Sequence, residues 1–401
     1  MEEVEVLWET KRKEEKLQVE KAAEMMSQLA EKGVFGATEK RAERLRTCSD
    51  YVLCKATKDF EKIKMKSEIR CKDRFCPHCQ RVDSVKTAIE LQTILTALRA
   101  DGYKALMLTL TVPNCKGNGA ALSYTLKNMS KAFNRLRNKI IRDDTIPYEG
   151  FYRTVEVTFN AEKKTFHPHY HVVLIFRSSF DEDATKKLQR LIMKYWRESF
   201  ESKKRIDQVH LAPLGETMKD VFEVSKYCAK SSDYLDHGLD VFEAFVVGLK
   251  GMRMREFGGI MKDMHKLFQA NLLEIPEEIR KASEENKEED WYWIFWLKWN
   301  HDEKCDYIEH LKKLDEVEPE IEAKKEKMNS KELREFVSEG KKFKAMNLRR
   351  ERIFAKKEDE TKTNDEQKNA KTANEYFGDD AENSGFYYQL TFADLLPLPR
   401  E

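Results

Sequence analysis

The segment FHPHYHVVLIF carries histidines at alternate positions, and its residue types suit metal chemistry. If the segment is extended, His167, His169 and His171 project from one face of a β-strand. Two imidazoles separated by one strand residue can reach the same ion, and imidazole binds several divalent metals. A lone histidine here would more often be a satisfied polar residue, but this cluster favours a metal site. The residues predicted to face the core are Tyr170, Val172 and Leu174.

A carboxylate is predicted to lie opposite these histidines. Residues 151–159 and 169–176 have the composition of strands and flank the short polar stretch NAEKKT, as in a β-hairpin. Glu156 stands in the middle of the first segment, among apolar residues and threonines. We therefore expect it to be the third metal ligand, with a cross-strand salt bridge as the alternative.

The segment FEVSKYCAKSSDYL places a carboxylate, a phenol and an ammonium at helical spacing. Glu223, Tyr227, Lys230 and Tyr234 are four, three and four residues apart, which would align them on one helix face. A free tyrosine has a pKa of about 10, so it needs help to act as a nucleophile at neutral pH. Lys230 could lower that pKa, and Glu223 could act as a general base on the phenol or on water. Without other motifs, this spacing would indicate surface ion pairs.

Cysteines form the third group of candidate ligands. Four thiolates with this spacing suit structural zinc, although a pair separated by two residues could also be redox-active. Cys54 and His78 are possible substitutes. The predicted zinc ligands are Cys48, Cys71, Cys76 and Cys79.

The overall composition narrows the class of protein. Lys and Arg number 73 against 72 for Asp and Glu, so the formal charge of +1 gives no general attraction to DNA. Nucleic-acid binding must then rely on local basic patches at 135–142, 203–205 and 250–255, each of which could equally be a solvated helix face. The charged N-terminus and the lack of a long apolar run predict a cytoplasmic protein with no membrane contact.

The pattern along the chain suggests five segments. The aromatic block WYWIFWLKW is interpreted as an accessory helix packed through its aromatic rings rather than as a base-stacking surface. The segments are an N-terminal helical segment (1–45), a cysteine-rich zinc module (46–85), a catalytic domain (86–260), a helical accessory region (261–354) and a flexible charged tail with an apolar end (355–401).

Three motifs in this order resemble those of the replication initiators of rolling-circle plasmids, within the endonucleases that carry a His-hydrophobe-His metal motif. They are LTLTVPN from Leu108, HPHYHVVL from His167 and EVSKYCAKSSDYL from Glu223. The segment CKDRFCPHCQR resembles a cysteine segment found in one branch of that family. The resemblance covers roughly residues 45–260.

The resemblance implies an α+β fold in which an antiparallel sheet has flanking helices, with the zinc module before it and a mostly helical C-terminal region after it. His169 and His171 would bind catalytic Mg²⁺ or Mn²⁺, with His167 as a further member, and Cys48 would complete the zinc site. Tyr227 would be the nucleophile and Glu223 would activate water, while Tyr234 could be a second nucleophile but is expected to be structural.

The implied activity is nicking of one strand at a plasmid origin through a 5′-phosphotyrosine intermediate, followed by rejoining or release. The implied partners are double-stranded and exposed single-stranded origin DNA, and a host helicase and polymerase. Two alternatives stand beside it. One is a relaxase or single-strand transposase with the same motifs, and the other is a zinc-containing DNA-binding regulator without enzymatic activity.

Overall fold

The computed structural model describes residues 2–60, 63–200, 209–225, 230–284 and 290–314, with side chains left out for 2–10, 282–284 and 309. The helices are α1 Glu2–Glu31, α2 Glu39–Arg46, α3 Pro77–Ala100, α4 Gly119–Arg142, α5 Glu182–Ser199, α6 Met218–Ser225, α7 Ser231–Leu235, α8 Leu239–Gly248, α9 Ile260–Gln269 and α10 Glu277–Glu284. The strands are β1 Tyr51–Thr57, β2 Ile63–Glu68, β3 Lys104–Thr111, β4 Cys115–Lys116, β5 Tyr148–Asn160, β6 Thr165–Phe176, β7 Val209–Pro213, β8 Arg255–Gly259, β9 Trp291–Asn300 and β10 Cys305–Lys313.

The larger sheet has the strand order β7-β3-β6-β5-β8, and β4 also pairs with β6. Every pairing is antiparallel. Strands β5 and β6 form the predicted hairpin around residues 161–164, and β6 lies at the centre of the sheet between β3 and β5. This confirms the α+β class and the central position of the histidine strand.

The two faces of this sheet pack differently. One face is apolar and faces the larger core with α4, α5 and α8; as predicted, Tyr170, Val172 and Leu174 are buried there. On the other face, Val173 and Ile175 pack in a second core to which α3, α6 and α9 contribute. Because side chains alternate along a strand, the histidines of β6 lie on this second face, beyond its apolar end.

The aromatic block is a strand, so its interpretation as a helix is wrong. Trp291–Asn300 forms β9 in a second sheet with the order β10-β9-β1-β2. Aromatic and β-branched residues favour strands, and the block turns back at residues 301–304 to pair with β10. Its other partner, β1, lies more than 230 residues earlier in the chain. The apolar face of this sheet buries Val52, Cys54, Ala56, Phe295 and Leu297.

The predicted helical face carrying Glu223, Tyr227, Lys230 and Tyr234 is interrupted. Lys230 has extended backbone, with φ −66° and ψ 145°, and precedes α7 as its N-cap residue. The segment from 218 to 235 is therefore not one continuous helix. Tyr227, the basic patch at 203–205 and the predicted tail at 355–401 lie outside the described residues.

The N-terminal helices belong to the core rather than to the surface. Val19, Ala22, Met26 and Leu29 of α1 are buried in the larger core. Lys16 of the same helix is 2% exposed, and its Nζ donates to the Cys48 carbonyl at 2.8 Å. None of the helices in the described ranges is long and apolar enough to cross a bilayer.

Candidate active site and metal centres

The register of the β5–β6 hairpin places Glu156 directly opposite His169. Glu156 Oε2 lies 2.9 Å from His169 Nε2 and 2.7 Å from His171 Nε2. One ligand atom from each of these residues lies within 4.8 Å of the other two. The side chains are 12–17% exposed, so the cluster is open on one side to solvent.

One ring nitrogen of this cluster has the second contact expected of a metal-bound histidine. His169 Nδ1 lies 3.4 Å from the His167 carbonyl, whereas the buried Nδ1 of His171 has no hydrogen-bond partner among the described residues. If Nε2 of His169 binds a metal, its Nδ1–H can donate to that carbonyl, an arrangement found commonly at metal-bound histidines. Two imidazole nitrogens and one carboxylate oxygen form a donor set for a divalent metal.

The carboxylate is held in its charged form. Burial raises the pKa of Glu156, but hydrogen bonds and charge interactions with His169 and His171 outweigh burial and lower that pKa well below its usual range. An ionised carboxylate beside two imidazoles is the form that binds a cation.

His167 lies beside this group but is not part of it. Its Nδ1 donates to Asn114 Oδ1 at 2.7 Å, and Asn114 Nδ2 donates to Thr165 Oγ1 at 3.3 Å. Asn114 was not among the predicted site residues, although it is the last residue of the motif LTLTVPN. Its contacts hold His167 at the end of the sheet.

Helix α6 packs on the histidine-bearing face of the sheet. Val221 and Val224 are fully buried in the same core as Val173, which is two residues from His171. Glu223 is exposed on this helix, two residues before its last residue, Ser225. Tyr227 follows two residues after Ser225, outside the described residues.

Beyond Tyr227, Lys230 is exposed whereas Tyr234 is 0% exposed. The Tyr234 ring packs against Phe75 at 5.5 Å and against Phe242 and Phe245 at 5.9 Å. This packing agrees with a structural role for Tyr234.

Sequence reasoning missed Asp233, an acidic residue of α7 near the cluster. Its Oδ1 accepts from the Phe159 backbone N–H at 3.5 Å, three residues along β5 from Glu156, and its Oδ2 is buried without a hydrogen-bond partner in the described chain. Burial raises the pKa of Asp233, and the nearby Glu156 charge adds to that effect. The only sequence signal was an acidic residue in the first turn of a short helix.

The four predicted cysteines meet at one point. Sγ of Cys48 lies 3.6 Å from that of Cys79 and 3.5 Å from that of Cys76, and Sγ of Cys71 lies 3.6 Å from that of Cys79. A tetrahedral zinc with Zn–S bonds of about 2.3 Å requires sulfurs about 3.8 Å apart, close to these values. The cluster is therefore able to hold a metal ion.

The surroundings of the sulfurs favour thiolates. Each sulfur lies within hydrogen-bond distance of a backbone N–H, from residues 71, 72, 73 and 79, at 3.2–3.5 Å. Cys54 is buried in the second sheet, apart from this cluster. His78 is also engaged elsewhere, because Glu15 and Glu68 bind its two ring nitrogens at 2.8 and 2.6 Å.

Comparison with known proteins places this architecture in a family. The family described as Replication protein matches residues 62–308. A Protein rep of Bacillus amyloliquefaciens is 29% identical over 253 residues, covering 57% of this chain and 73% of the relative. A Protein rep of Streptococcus pneumoniae serotype 2 is 28% identical over 250 residues, covering 60% and 76%.

A Protein rep of Staphylococcus aureus is 28% identical over 202 residues, covering 49% of this chain and 85% of the relative. No solved structure gives a significant match. Since the family match spans more than half of the chain, the protein belongs to the replication protein family, which confirms the resemblance to plasmid replication initiators that its motifs indicated.

Proposed function

We propose that this protein initiates rolling-circle replication of a plasmid by binding its origin and nicking one strand through a covalent bond to Tyr227. The observation that supports this most directly is the convergence of His169 Nε2, His171 Nε2 and Glu156 Oε2 on the open face of the sheet along which α6 runs. The family match supports a role in replication.

In the first step, the phenol oxygen of Tyr227 bonds to the phosphorus at the origin as the bond from phosphorus to the 3′ oxygen breaks. The phenolic proton passes to solvent, and the leaving oxygen takes up a proton to become a 3′ hydroxyl for polymerase. Lys230 would favour the phenolate by its positive charge. The 5′ phosphate stays attached to the protein.

Release of the strand requires a second displacement at the same phosphorus. A water molecule attacks, Glu223 accepts one of its protons, and the bond to Tyr227 breaks to leave a free 5′ phosphate. If a 3′ hydroxyl attacks in place of water, the strand is rejoined and the bond energy is conserved.

Glu156, His169 and His171 would hold the catalytic ion, with His167 beside them. A bound divalent cation supplies positive charge to the non-bridging phosphate oxygens as negative charge develops in the transition state. Because two of the three donors are nitrogens, and Mg²⁺ prefers an oxygen shell, we expect Mn²⁺ to bind more tightly than Mg²⁺. The ion at Cys48, Cys71, Cys76 and Cys79 would be structural Zn²⁺.

The test is mass spectrometry of the full chain incubated with a single-stranded origin oligonucleotide and Mn²⁺. We expect a covalent adduct with the wild type, and with Tyr227→Phe no adduct but retained oligonucleotide binding. Tyr124→Phe is the matched control, since Tyr124 is 70% exposed on α4, which packs in the larger core on the other side of the sheet. An adduct on the Tyr227→Phe protein would contradict the proposal.

The related activities differ in the DNA that they accept. An initiator should relax a supercoiled plasmid that carries its own double-strand origin, whereas a transposase should act on a transposon-end hairpin. A host helicase and polymerase would act on the nicked product, and their recruitment can be tested by reconstituting replication on the same plasmid.

A further inference from the structure

The second sheet has a polar, partly exposed face made of tyrosine, tryptophan and lysine side chains. Its opposite face is the buried one that contains Val52, Cys54 and Leu297. Strand register assigns alternate residues of β1, β2, β9 and β10 to the exposed side. We call this side the aromatic–lysine face, and it comprises Tyr51, Lys55, Lys64, Trp296, Lys298, Tyr307 and Lys312.

One row of this face alternates rings and charge across three strands. Lys298 on β9 pairs with Tyr51 on β1 and with Tyr307 on β10. Its Nζ lies 5.6 Å from the centroid of each ring. Tyr51 is 37% exposed and Tyr307 is 39% exposed, so both rings can be reached from solvent.

The next rows extend the same chemistry. Trp296 is half-buried and lies 6.5 Å from the Tyr51 ring in an edge-to-face arrangement. In the row beyond it, Lys64, Lys55 and Lys312 flank the buried Ile294. Four lysines thus surround three aromatic rings within one sheet face.

Charge and ring content indicate the occupant. Lys55, Lys64, Lys298 and Lys312 bring positive charge to this face. A partner with a negative backbone and flat apolar rings matches this arrangement, because aromatic side chains stack on unpaired bases while lysines contact phosphates. An apolar protein surface would bury the lysine ammonium groups without offering them polar groups of its own.

We propose that the aromatic–lysine face binds single-stranded DNA, with bases stacked on Tyr51, Trp296 and Tyr307 and phosphates contacted by Lys298 and its neighbours. This proposal rests on the proposed function in one respect: nicking an origin would expose a single strand of DNA. The face belongs to a different sheet from the histidine cluster. It would therefore hold DNA away from the scissile phosphate, as a second contact for the displaced strand.

The experiment measures binding of the full chain to fluorescein-labelled dT15 by fluorescence polarisation. Because dT15 carries no origin sequence, the result does not depend on whether the protein nicks DNA. We expect the double variant Tyr51→Leu, Tyr307→Leu to bind at least about tenfold more weakly, and the double variant Tyr51→Phe, Tyr307→Phe to bind like the wild type. The control Tyr124→Leu, which removes an exposed ring elsewhere, should also bind like the wild type.

A second measurement tests the phosphate contact. In Lys298→Gln, the slope of log affinity against log salt should decrease by about 0.7, the value for one phosphate contact on a single strand. This variant keeps both rings, so it remains informative if the double leucine variant fails to fold by circular dichroism.

Three results would overturn the proposal. The first is equal dT15 affinity in the wild type and a folded double leucine variant, together with an unchanged salt slope in Lys298→Gln. The second is an equal loss of affinity for a 15-base-pair duplex, whose paired bases cannot stack on the rings. The third is dissociation of a dimer by the leucine substitutions with dT15 binding unchanged, which would make this face a contact between two copies.

Discussion

The histidine cluster and the cysteine cluster are both candidate metal centres, but they are built in opposite ways. Glu156, His169 and His171 come from two adjacent strands and keep 12–17% of their side-chain surface exposed. Three of the four cysteines are at most 1% exposed, and the four come from separate turns around α2, β2 and the start of α3. Catalytic metal sites keep an open position for substrate, whereas structural sites are closed by protein ligands.

The same contrast extends to the contacts around each cluster. The cysteine sulfurs accept backbone N–H groups, and Lys16 of α1 reaches the Cys48 carbonyl. Among the described residues, an imidazole nitrogen of the histidine cluster has no hydrogen-bond partner, and neither has a carboxylate oxygen of the nearby Asp233. The first arrangement supports a fold, and the second leaves groups available for a ligand. The comparison therefore predicts that damage to one cluster affects stability and damage to the other affects reactivity.

The largest expected effect is on stability at the cysteine cluster. Cys76→Ser should abolish zinc binding and lower the free energy of unfolding by several kcal/mol, because binding a structural zinc contributes on the order of 10 kcal/mol to folding. Zinc content by atomic absorption and thermal unfolding by circular dichroism provide the measurement. Cys305→Ser is the matched control, since Cys305 is exposed. If Cys76→Ser unfolded with the same free energy as the wild type, the distinction between the clusters would be lost.

Next in size is the effect of a histidine substitution on cleavage. His171→Ala should slow formation of the covalent adduct by about 10³-fold, equivalent to about 4 kcal/mol of activation free energy, because the ion that stabilises the transition state is lost. Its melting temperature should stay close to that of the wild type. His210→Ala is the control, as His210 is an exposed histidine on β7. A decrease in the melting temperature of His171→Ala as large as that of Cys76→Ser would contradict the comparison.

Glu223→Ala should separate the two chemical steps at the open site. Nicking should persist, while hydrolytic release of the 5′ end should slow by about 10²-fold, at the lower end of the range for a general base. Quenched-flow assays of adduct formation and decay measure the two steps separately. Equal slowing of both would contradict the role given to Glu223, and Glu243→Ala on α8 provides a control carboxylate.

The smallest expected effect concerns the helix that supports the cysteine region. Glu20 of α1 accepts from Trp299 Nε1 at 2.9 Å, and Lys304 Nζ lies 2.7 Å away. Burial raises the pKa of Glu20, but these contacts outweigh it and lower that pKa below 4.5. The carboxylate therefore stabilises the fold above pH 4.5, and this contribution is lost as the pH falls through the lowered value.

The difference in unfolding free energy between the wild type and Glu20→Gln should accordingly be constant near neutral pH and shrink below pH 4.5. Urea titrations at a series of pH values measure it, while cleavage at neutral pH should be unaffected. A difference that grows on acidification would contradict this interpretation. Glu24→Gln, on the same helix, is a suitable control.

Local patterns were sufficient to predict the hairpin and the histidine face. The strand predicted at 151–159 was expected to carry Glu156 across the hairpin from the histidines, whereas its pairing with His169 follows from the four-residue connection between β5 and β6 in the structure. These elements depend on contacts between residues that are close along the chain.

The errors came from long-range pairing and from a local break. The charged context of residues 291–299 favoured a helix, although their aromatic content suits a strand, and the partner β1 could not be read from the sequence. Similarly, the regular spacing from Glu223 to Tyr234 predicted one continuous helix face, whereas the backbone at Lys230 is extended. Burial of Tyr234 against Phe75, 159 residues away, accompanies that break.

The hairpin that joins β5 to β6 also governs which changes in chain length the molecule can tolerate. Residues added within the connection at 161–164 would lengthen an exposed loop and leave both strands in register, at a small entropic cost. A single residue inserted between Glu156 and that connection would rotate the carboxylate to the opposite side of the sheet, into the larger core. Homologous chains should therefore differ in length at the loop tip but keep an unbroken count of residues within the strands.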